Sequence, residues 1–399
     1  MQQSINNTKK RIESVDILRG IIMVIMALDH TRDFFHVTAN TGDPLAIPSA
    51  SPILFFTRWI THFCAPTFVF LSGLSCYLQS FRKSKKELSL FLIKRGLWLI
   101  IAEVIILSFV FTLNPLYNII FLEVIWAIGI SMVILGLLIY LPFQAILTIG
   151  LIIVLGHNLM DIQEASPGFK PGFLYSVLHR VGGALPFAPG HILLVLYPFL
   201  PWTGLMLLGY CTGTFFSAKY SREQRKKILT RIGLFVFLFF ILVRFINVYG
   251  NPFPWIKQND WSDTFLSFIN LQKYPPSLLF MCITVGPALI LLAYLENIQN
   301  RFTNMVRIYG RVPFFYFVVH FFLAHVLAMI VFFAKGHNMQ DAMKAAHQVP
   351  FLFVVPGEGF SLPVVYLIWL AIVIIMYPLS KWYDAYKTNH KEKWWLSYL

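Results

Sequence analysis

The sequence predicts an all-α, polytopic membrane protein, a helical bundle of about 10 transmembrane helices with N- and C-termini in the cytoplasm. Of the 399 residues, 57% are hydrophobic, 17% are aromatic and only 13% are charged, which is more apolar surface than a soluble fold can bury. Apolar stretches of membrane-spanning length recur along the chain, and basic residues cluster in every second connection between them. Both observations argue against an ordinary soluble enzyme.

Ten stretches are predicted to cross the bilayer: 17–35, 61–81, 96–113, 119–141, 143–156, 192–217, 232–249, 277–296, 312–334 and 361–380. With the N-terminus inside, most of the 32 lysines and arginines fall in the inner segments. The positive-inside rule therefore places both termini in the cytoplasm. The net charge of +14 thus reflects topology, and no nucleic acid is expected as a partner.

The chain is predicted to have one large domain with two short ends. Residues 1–15 form a polar cytoplasmic N-terminus, 16–380 the transmembrane domain, and 381–399 a basic and aromatic cytoplasmic tail. The four cysteines lie in predicted spans and lack CxxC or Cys/His spacing, and the histidines are scattered over several spans. The sequence therefore predicts no disulfide framework and no metal site.

The first span carries charge inside an otherwise apolar helix, SVDILRGIIMVIMALDHTRDFFH. At about 100° per residue, one face collects Asp16, Arg19, Met23, Ala27, His30 and Asp33. Ionisable groups in a bilayer are costly and usually functional. His30 could take a proton from an amine or hydroxyl, or carry an acyl group itself, with Asp29 or Asp33 orienting its ring.

Other candidates lie on later segments. The outer segment 36–60 turns apolar near its end and is expected to re-enter the membrane, and Arg58 and His62 could face the same cavity as His30. The predicted ninth span places Tyr316 and His320 one turn apart. Arg19 carries a guanidinium suited to phosphate. We therefore take Arg19, Arg58, His62 and His320 as candidates for binding a phosphate-bearing donor.

Two further features leave alternatives open. The long outer segment 157–191 contains His157, Asp161, Glu164, His179, Arg180 and His191, and is either a lid or acceptor surface or a solvated connection. Glu103, Glu123 and Arg244 are also expected within spans, where an internal salt bridge is the simplest interpretation. No P-loop, HExxH or GxSxG motif occurs, so nucleotide hydrolysis, zincin chemistry and a hydrolase serine lack support.

Six blocks in order resemble a known family. They are ESVDILRG, MALDHTRDFFH, RWITHFCAPTFVFLSG, YPFLPWTGLMLLGY, QKYPPSLLF and YGRVPFFYFVVHFFLAH. Between about residues 11 and 335 the chain looks like the bacterial branch of the heparan-α-glucosaminide N-acetyltransferase family, within the transmembrane acyltransferases. Arg19 and His30 also match the Arg, ten residues, His spacing of the related acyltransferase-3 proteins.

The resemblance implies a multi-pass acyltransferase in the bacterial cytoplasmic (inner) membrane. Acetyl-CoA, or another acyl-CoA, would donate an acetyl or short acyl group from the cytoplasm to an extracytoplasmic sugar amine or hydroxyl, with no metal. His30 would be the general base. By comparison with the animal enzyme of the family, whose proposed active histidine lies farther into the outer loop, His36 is the nearest candidate. Arg58, His62 or His320 would stabilise the oxyanion.

Several alternatives stay open at this stage. A transporter or flippase for a lipid-linked or anionic solute could use the same polar stripe as a pathway. A membrane scaffold without chemistry would bind neither CoA nor a solute. The glycan or amino-sugar acceptor is undefined, and the aromatic spans suit either membrane lipid or a second copy in a homodimer.

Overall fold

A computed structural model describes residues 12–47, 51–180, 184–393 and 396. These residues are mostly α-helical, as the sequence predicts. The helices are α1 Glu13–Phe35, α2 Pro52–Ile60, α3 Cys64–Gln79, α4 Lys85–Ala102, α5 Ser108–Thr112, α6 Val124–Leu138, α7 Phe143–Gly156, α8 Leu159–Glu164, α9 Phe173–Leu178, α10 Phe199–Thr212, α11 Arg222–Ile246, α12 Trp261–Ile269, α13 Leu278–Leu295, α14 Arg301–Arg311, α15 Pro313–Ala334, α16 Met339–Ala345 and α17 Leu362–Asn389. Short 3-10 turns at Thr61–Phe63 and Gly213–Phe216 and a π-helical turn at Glu103–Leu107 join some of them.

Six helical segments in the described residues are long and apolar enough to cross a membrane. They are Pro52–Gln79, Phe143–Glu164, Arg222–Ile246, Leu278–Leu295, Pro313–Ala334 and Leu362–Asn389. The predicted class, a helical membrane protein, is thereby confirmed, although three short strands also occur in the described residues. Each of the other predicted spans also contains a helix, but the number of ten and the side of each terminus stay predictions. The predicted end segments 1–15 and 381–399 lie partly outside the described residues, at 1–11, 394–395 and 397–399.

Two predicted spans do not begin as helices, and one predicted loop is helical. The spans 119–141 and 192–217 start in strands, β1 Ile119–Leu122 and β3 His191–Val195. A short β-branched or aliphatic run suits a strand as well as a helix, and only its pairing partner decides. The segment expected to re-enter the membrane, 36–60, is helical from Pro52, where the Ser51 side chain caps α2 by accepting from the backbone N–H of Leu54; its residues 48–50 lie outside the described residues, and its re-entry stays a prediction.

The described chain divides into two compact units. The unit built on α1, here the α1 unit, contains Asp16–Cys64, Ile105–Ile120 and the described residues from 299 onward. The other, the hairpin unit, contains the described residues 12–15, Ala65–Val104 and Phe121–Ile298.

In the α1 unit, polar contacts tie α1 to its neighbours along its length. The Trp369 indole N–H of α17 donates to the Val24 carbonyl at 2.9 Å. At the far end of α1, the Phe360 backbone N–H donates to the Phe35 carbonyl at 2.7 Å. The Tyr309 hydroxyl of α14 donates to the Val373 carbonyl of α17 at 2.9 Å. The first two contacts anchor α1, which carries most of the predicted site residues, and the third ties two of its neighbours to each other.

Glycines let α1 and α14 approach with their backbones in contact. A Cβ on Gly20 would overlap the Val306 carbonyl group, and a Cβ on Gly310 would overlap the Asp16 carbonyl group. Small residues at a crossing of membrane helices allow such an approach. The first, charged turns of α1 are thereby held against α14.

We expect Gly20→Ala to destabilise the protein. Helix propensity alone would favour alanine by about 1 kcal/mol. The added methyl group meets a backbone carbonyl that cannot rotate away, and overpacking of this kind costs about 1–3 kcal/mol or more. Gly42→Ala is the control, because no atom lies within 4 Å of a Cβ built there. Thermal unfolding in detergent should show a lower midpoint for Gly20→Ala only; equal midpoints would contradict the close crossing.

The hairpin unit carries a three-stranded sheet, ordered β1-β3-β2, in which β2 Ala184–Ala188 pairs antiparallel with β3. Its apolar side packs Leu122, Val177 and Val195 together. The predicted salt bridge of Arg244 is wrong. Within the described chain its guanidinium donates to four backbone carbonyls, those of Phe253, Ser267, Phe268 and Asn270, at 2.9–3.1 Å. Arg244 thus fastens the end of α11 to the segment that follows it.

Candidate active site

Two of the predicted histidines meet in the α1 unit. His30 Nδ1 of α1 lies 2.8 Å from His320 Nε2 of α15, across a sequence separation of 290 residues. The two rings are nearly parallel, with an interplanar angle of 13° and centroids 5.0 Å apart. His320 is buried, with 1% of its surface exposed, whereas His30 is half-buried.

A backbone carbonyl determines where the protons of this pair sit. His320 Nδ1 lies 2.6 Å from the Tyr316 carbonyl oxygen, which can only accept a hydrogen bond. The proton of neutral His320 is therefore on Nδ1, and the lone pair is on Nε2. His30 Nδ1 must then donate to that lone pair. The basic lone pair of His30 consequently lies on Nε2, the nitrogen directed away from His320.

Aromatic rings surround the pair. Phe317 and Phe321 meet the His30 ring at centroid distances of 5.9 and 4.7 Å, both edge-on. Tyr316 stacks on His320 at 5.1 Å, and in the described residues its buried hydroxyl has no hydrogen-bond partner. Hydrogen bonds are electrostatically stronger in such an apolar setting than in water. The surroundings therefore hold the two imidazoles firmly in one arrangement.

A second cluster, at the end of α1, combines two carboxylates with two arginines. Arg58 of α2 donates to both carboxylate oxygens of Asp29, with Oδ1 at 2.5 Å. Arg32 donates to Asp29 Oδ1 at 3.1 Å and to Asp33 Oδ1 at 2.5 Å. The charges of this partly buried cluster thus compensate one another, and Arg58 ties α2 to α1.

The role predicted for Asp29 or Asp33, orienting the His30 ring, stays a prediction. In the structure, His30 Nδ1 donates to His320 Nε2. The role of Arg32, which joins Asp29 to Asp33, was not predicted from the sequence. Its i,i+3 spacing from Asp29 is the signal that could have indicated it.

His36, the rival of His30, follows the last turn of α1. Its Nδ1 accepts from the Thr38 backbone N–H at 3.3 Å and lies 2.9 Å from the Thr38 hydroxyl. A backbone N–H can only donate, so the lone pair of neutral His36 is on Nδ1 and already engaged. Burial, and next to it the charge of Arg32, lowers the pKa of His36 below its usual value. Its imidazole is thus a weaker base than an ordinary histidine, and its basic nitrogen already accepts a hydrogen bond.

The other predicted donor-binding residues lie in the same unit. Arg19 lies eleven residues before His30, about 16 Å along the helix axis. Its guanidinium contacts Asp16 Oδ1 at 3.3 Å and the Gly310 carbonyl at 3.1 Å. His62 is buried in the 3-10 turn Thr61–Phe63, with 3% of its surface exposed. All eight predicted site residues therefore belong to the α1 unit, with Arg19 toward one end of α1 and the histidines toward the other.

The fold and the site together define a helical membrane protein whose apolar helices enclose a hydrogen-bonded pair of histidines and a compensated cluster of charges.

The chain belongs to the heparan-α-glucosaminide N-acetyltransferase family, because the family model described as heparan-alpha-glucosaminide N-acetyltransferase, catalytic, matches residues 11–255. The predicted family is thus confirmed, and with it the general class of transmembrane acetyltransferase. The match includes His30, His36, Arg19 and Arg58, whereas His320 lies beyond it. No individual curated protein matches the chain.

Proposed function

We propose that the protein transfers an acetyl or short acyl group from cytoplasmic acyl-CoA to a sugar amine or hydroxyl on the far side of the membrane. The observation that carries the proposal is the hydrogen bond from His320 Nδ1 to the Tyr316 carbonyl at 2.6 Å. It makes His320 Nε2 the acceptor of the His30 Nδ1 proton, so that the basic lone pair of His30 is on Nε2. A half-buried imidazole in that tautomer is suited to general-base catalysis. Membership of an acetyltransferase family supplies the reaction class.

In the proposed reaction, the nitrogen or oxygen of the acceptor attacks the thioester carbonyl while His30 Nε2 removes the proton of that amine or hydroxyl. The tetrahedral intermediate then collapses, the carbon–sulfur bond breaks, and the CoA thiolate recovers the proton from His30. While His30 is protonated, its Nδ1–H bond to His320 Nε2 becomes charge-assisted and stronger. His320 is therefore a positioning residue, a different role from the donor-binding role predicted for it.

Donors near the thioester would stabilise the developing oxyanion. Arg58 and His62 are proposed for this part because both lie in the helical segment that Arg58 ties to α1 beside His30. The Arg58–Asp29 pair also fixes the position of that segment, so loss of either partner would disturb the site.

The donor end of the path is proposed at Arg19. A guanidinium suits the phosphates of CoA, and the bond of Arg19 to the Gly310 carbonyl fixes it beside α14. That helix also carries Arg301, Arg307 and Arg311, further basic groups for a polyanionic donor. About 16 Å of helix between Arg19 and His30 lets the thioester reach the histidine while the phosphates stay at the basic end.

The proposed topology has ten spans with both termini in the cytoplasm, in a bacterial inner membrane. Its support is the excess of basic residues in the inner segments. This orientation places Arg19 on the side where acyl-CoA is found and His30 toward the acceptor.

The test is purified protein in sealed proteoliposomes with radiolabelled acetyl-CoA and a panel of amino sugars and glycans. We expect acceptor-dependent release of free CoA, with label appearing in one class of acceptor. Stimulated movement of a solute without CoA release would instead support the transporter or flippase. Protein that neither releases CoA nor moves a solute would contradict the proposal and favour a scaffold.

A further inference from the structure

A second polar cluster lies in the hairpin unit and has no part in the proposed acyl transfer. Asp161 and Glu164, one turn apart on α8, converge with His179, which follows α9. One ligand atom from each of the three residues lies within 4.8 Å of the other two. In the sequence these residues are only parts of a long outer segment, because eighteen positions separate Asp161 from His179.

We propose that Asp161, Glu164 and His179 bind a divalent first-row transition metal ion of the Zn²⁺ type. Imidazole and carboxylate are common ligands of such ions, at about 2.0–2.2 Å. Ligand atoms already within 4.8 Å of one another need to close by only about 1 Å to reach that distance from a shared ion. The proposal departs from the sequence-based expectation of no metal.

The charge balance of the cluster favours a cation. Glu164 contacts His179 Nδ1 at 2.7 Å, but within the described residues Asp161 forms no ion pair and accepts only from the Asn158 amide, at 2.6 Å. When both carboxylates are ionised, a divalent ion would neutralise their charge.

The supporting residues are already in place. The Asn158 side chain that orients Asp161 also accepts from the Leu278 backbone N–H at 2.8 Å, so it is fixed to the start of α13. A ligating histidine usually shares its other ring nitrogen with an orienting group. His179 Nε2 lies 3.2 Å from His157 Nδ1, and His179 and His157 are 0% and 3% exposed.

His157 can serve both the metal-free and the metal-bound state. Without metal, His179 Nδ1 donates to Glu164, and His157 Nδ1 donates to His179 Nε2. With metal on His179 Nδ1, the His179 proton moves to Nε2 and is donated to His157 Nδ1, while the His157 proton moves to its own Nε2. In the described residues His157 Nε2 has no hydrogen-bond partner, so the only hydrogen bond of the pair that the metal replaces is the one from His179 Nδ1 to Glu164. No proton is gained or lost.

The test is direct metal binding by the full chain in detergent, purified with an affinity tag that lacks histidine. Protein stripped with a chelator is equilibrated by dialysis with micromolar Zn²⁺, and the bound metal is measured by mass spectrometry. We expect about one Zn²⁺ per chain. Glu164→Gln and Asp161→Asn should each weaken binding at least tenfold, and His157→Leu by about 10–100-fold.

Glu358→Gln is the matched control. Glu358 contacts His337 Nε2 at 2.9 Å, so it is also a carboxylate–histidine pair, but it is not part of the three-residue cluster. This variant should bind Zn²⁺ like the wild type. The proposal would be overturned if the wild type held no Zn²⁺, or if Glu164→Gln and Asp161→Asn bound Zn²⁺ as tightly as the wild type does. Because bound metal is measured rather than turnover, the result is independent of the proposed acyl transfer.

Discussion

Replacing His30 with asparagine should lower acyl transfer by about 10²–10⁴-fold, the usual contribution of a general base. Asparagine places an amide N–H near the former Nδ1, so it can still donate to His320 Nε2. It has no basic lone pair in place of Nε2. The variant therefore removes the proposed chemistry and keeps the contact between α1 and α15.

His36→Ala is the matched comparison and should leave transfer within a few-fold of the wild type. The lone pair of His36 is engaged by the Thr38 N–H, and burial together with the Arg32 charge lowers its pKa, so it is poorly suited to accept a proton from the substrate.

The measurement is the steady-state rate of CoA release with a saturating acceptor, for folded variants that elute as the wild type does. A large loss in His36→Ala with little effect in His30→Asn would reverse the assignment and place the reacting group at the outer end of α1. If neither variant lost activity, neither histidine would take part in the chemistry.

The polar face of α1 could be predicted because its information is local. Charged residues at helical spacing in an apolar span stand out in any sequence, and the structure confirms a helix over Glu13–Phe35. The partner of His30 could not be predicted. His320 was a candidate in its own right, but the pairing depends on how α15 packs against α1, which no local pattern contains.

The tautomers of the two histidines could not be predicted from the sequence either. They follow from the hydrogen bond between His320 Nδ1 and the Tyr316 carbonyl, one turn earlier in the same helix. The sequence does not show whether that carbonyl or a group on a neighbouring helix is the partner of His320 Nδ1.

Loops and strands were predicted less well, for the same reason. The segments around β1 and β3 are apolar enough for a span, and only their pairing in one sheet distinguishes them. Asp161, Glu164 and His179 likewise become a cluster only because α8 and α9 fold back on each other. Long-range contacts thus account for most of what sequence analysis missed.

Replacing His320 should separate positioning from packing. His320→Leu keeps a side chain of moderate size but cannot accept from His30 Nδ1, so the His30 ring loses the partner that fixes its tautomer. Loss of an orienting group behind a catalytic histidine can cost up to about 10⁴-fold in kcat. We expect His320→Leu to lose at least about tenfold in kcat with little change in KM for acyl-CoA, because His320 is not proposed to touch the donor.

Two amides provide the decisive comparison, because they share their chemistry and differ only in reach. Glutamine can place its carbonyl oxygen near the former Nε2, 2.8 Å from His30 Nδ1 in the wild type, and accept the His30 proton. Asparagine reaches only the Nδ1 position, beside the Tyr316 carbonyl. His320→Gln should therefore recover much of the activity lost in His320→Leu, whereas His320→Asn should not. Equal activity of the two amide variants would mean that His320 serves packing alone, and that His30 obtains its orientation elsewhere, with Asp29 or Asp33 again the candidates.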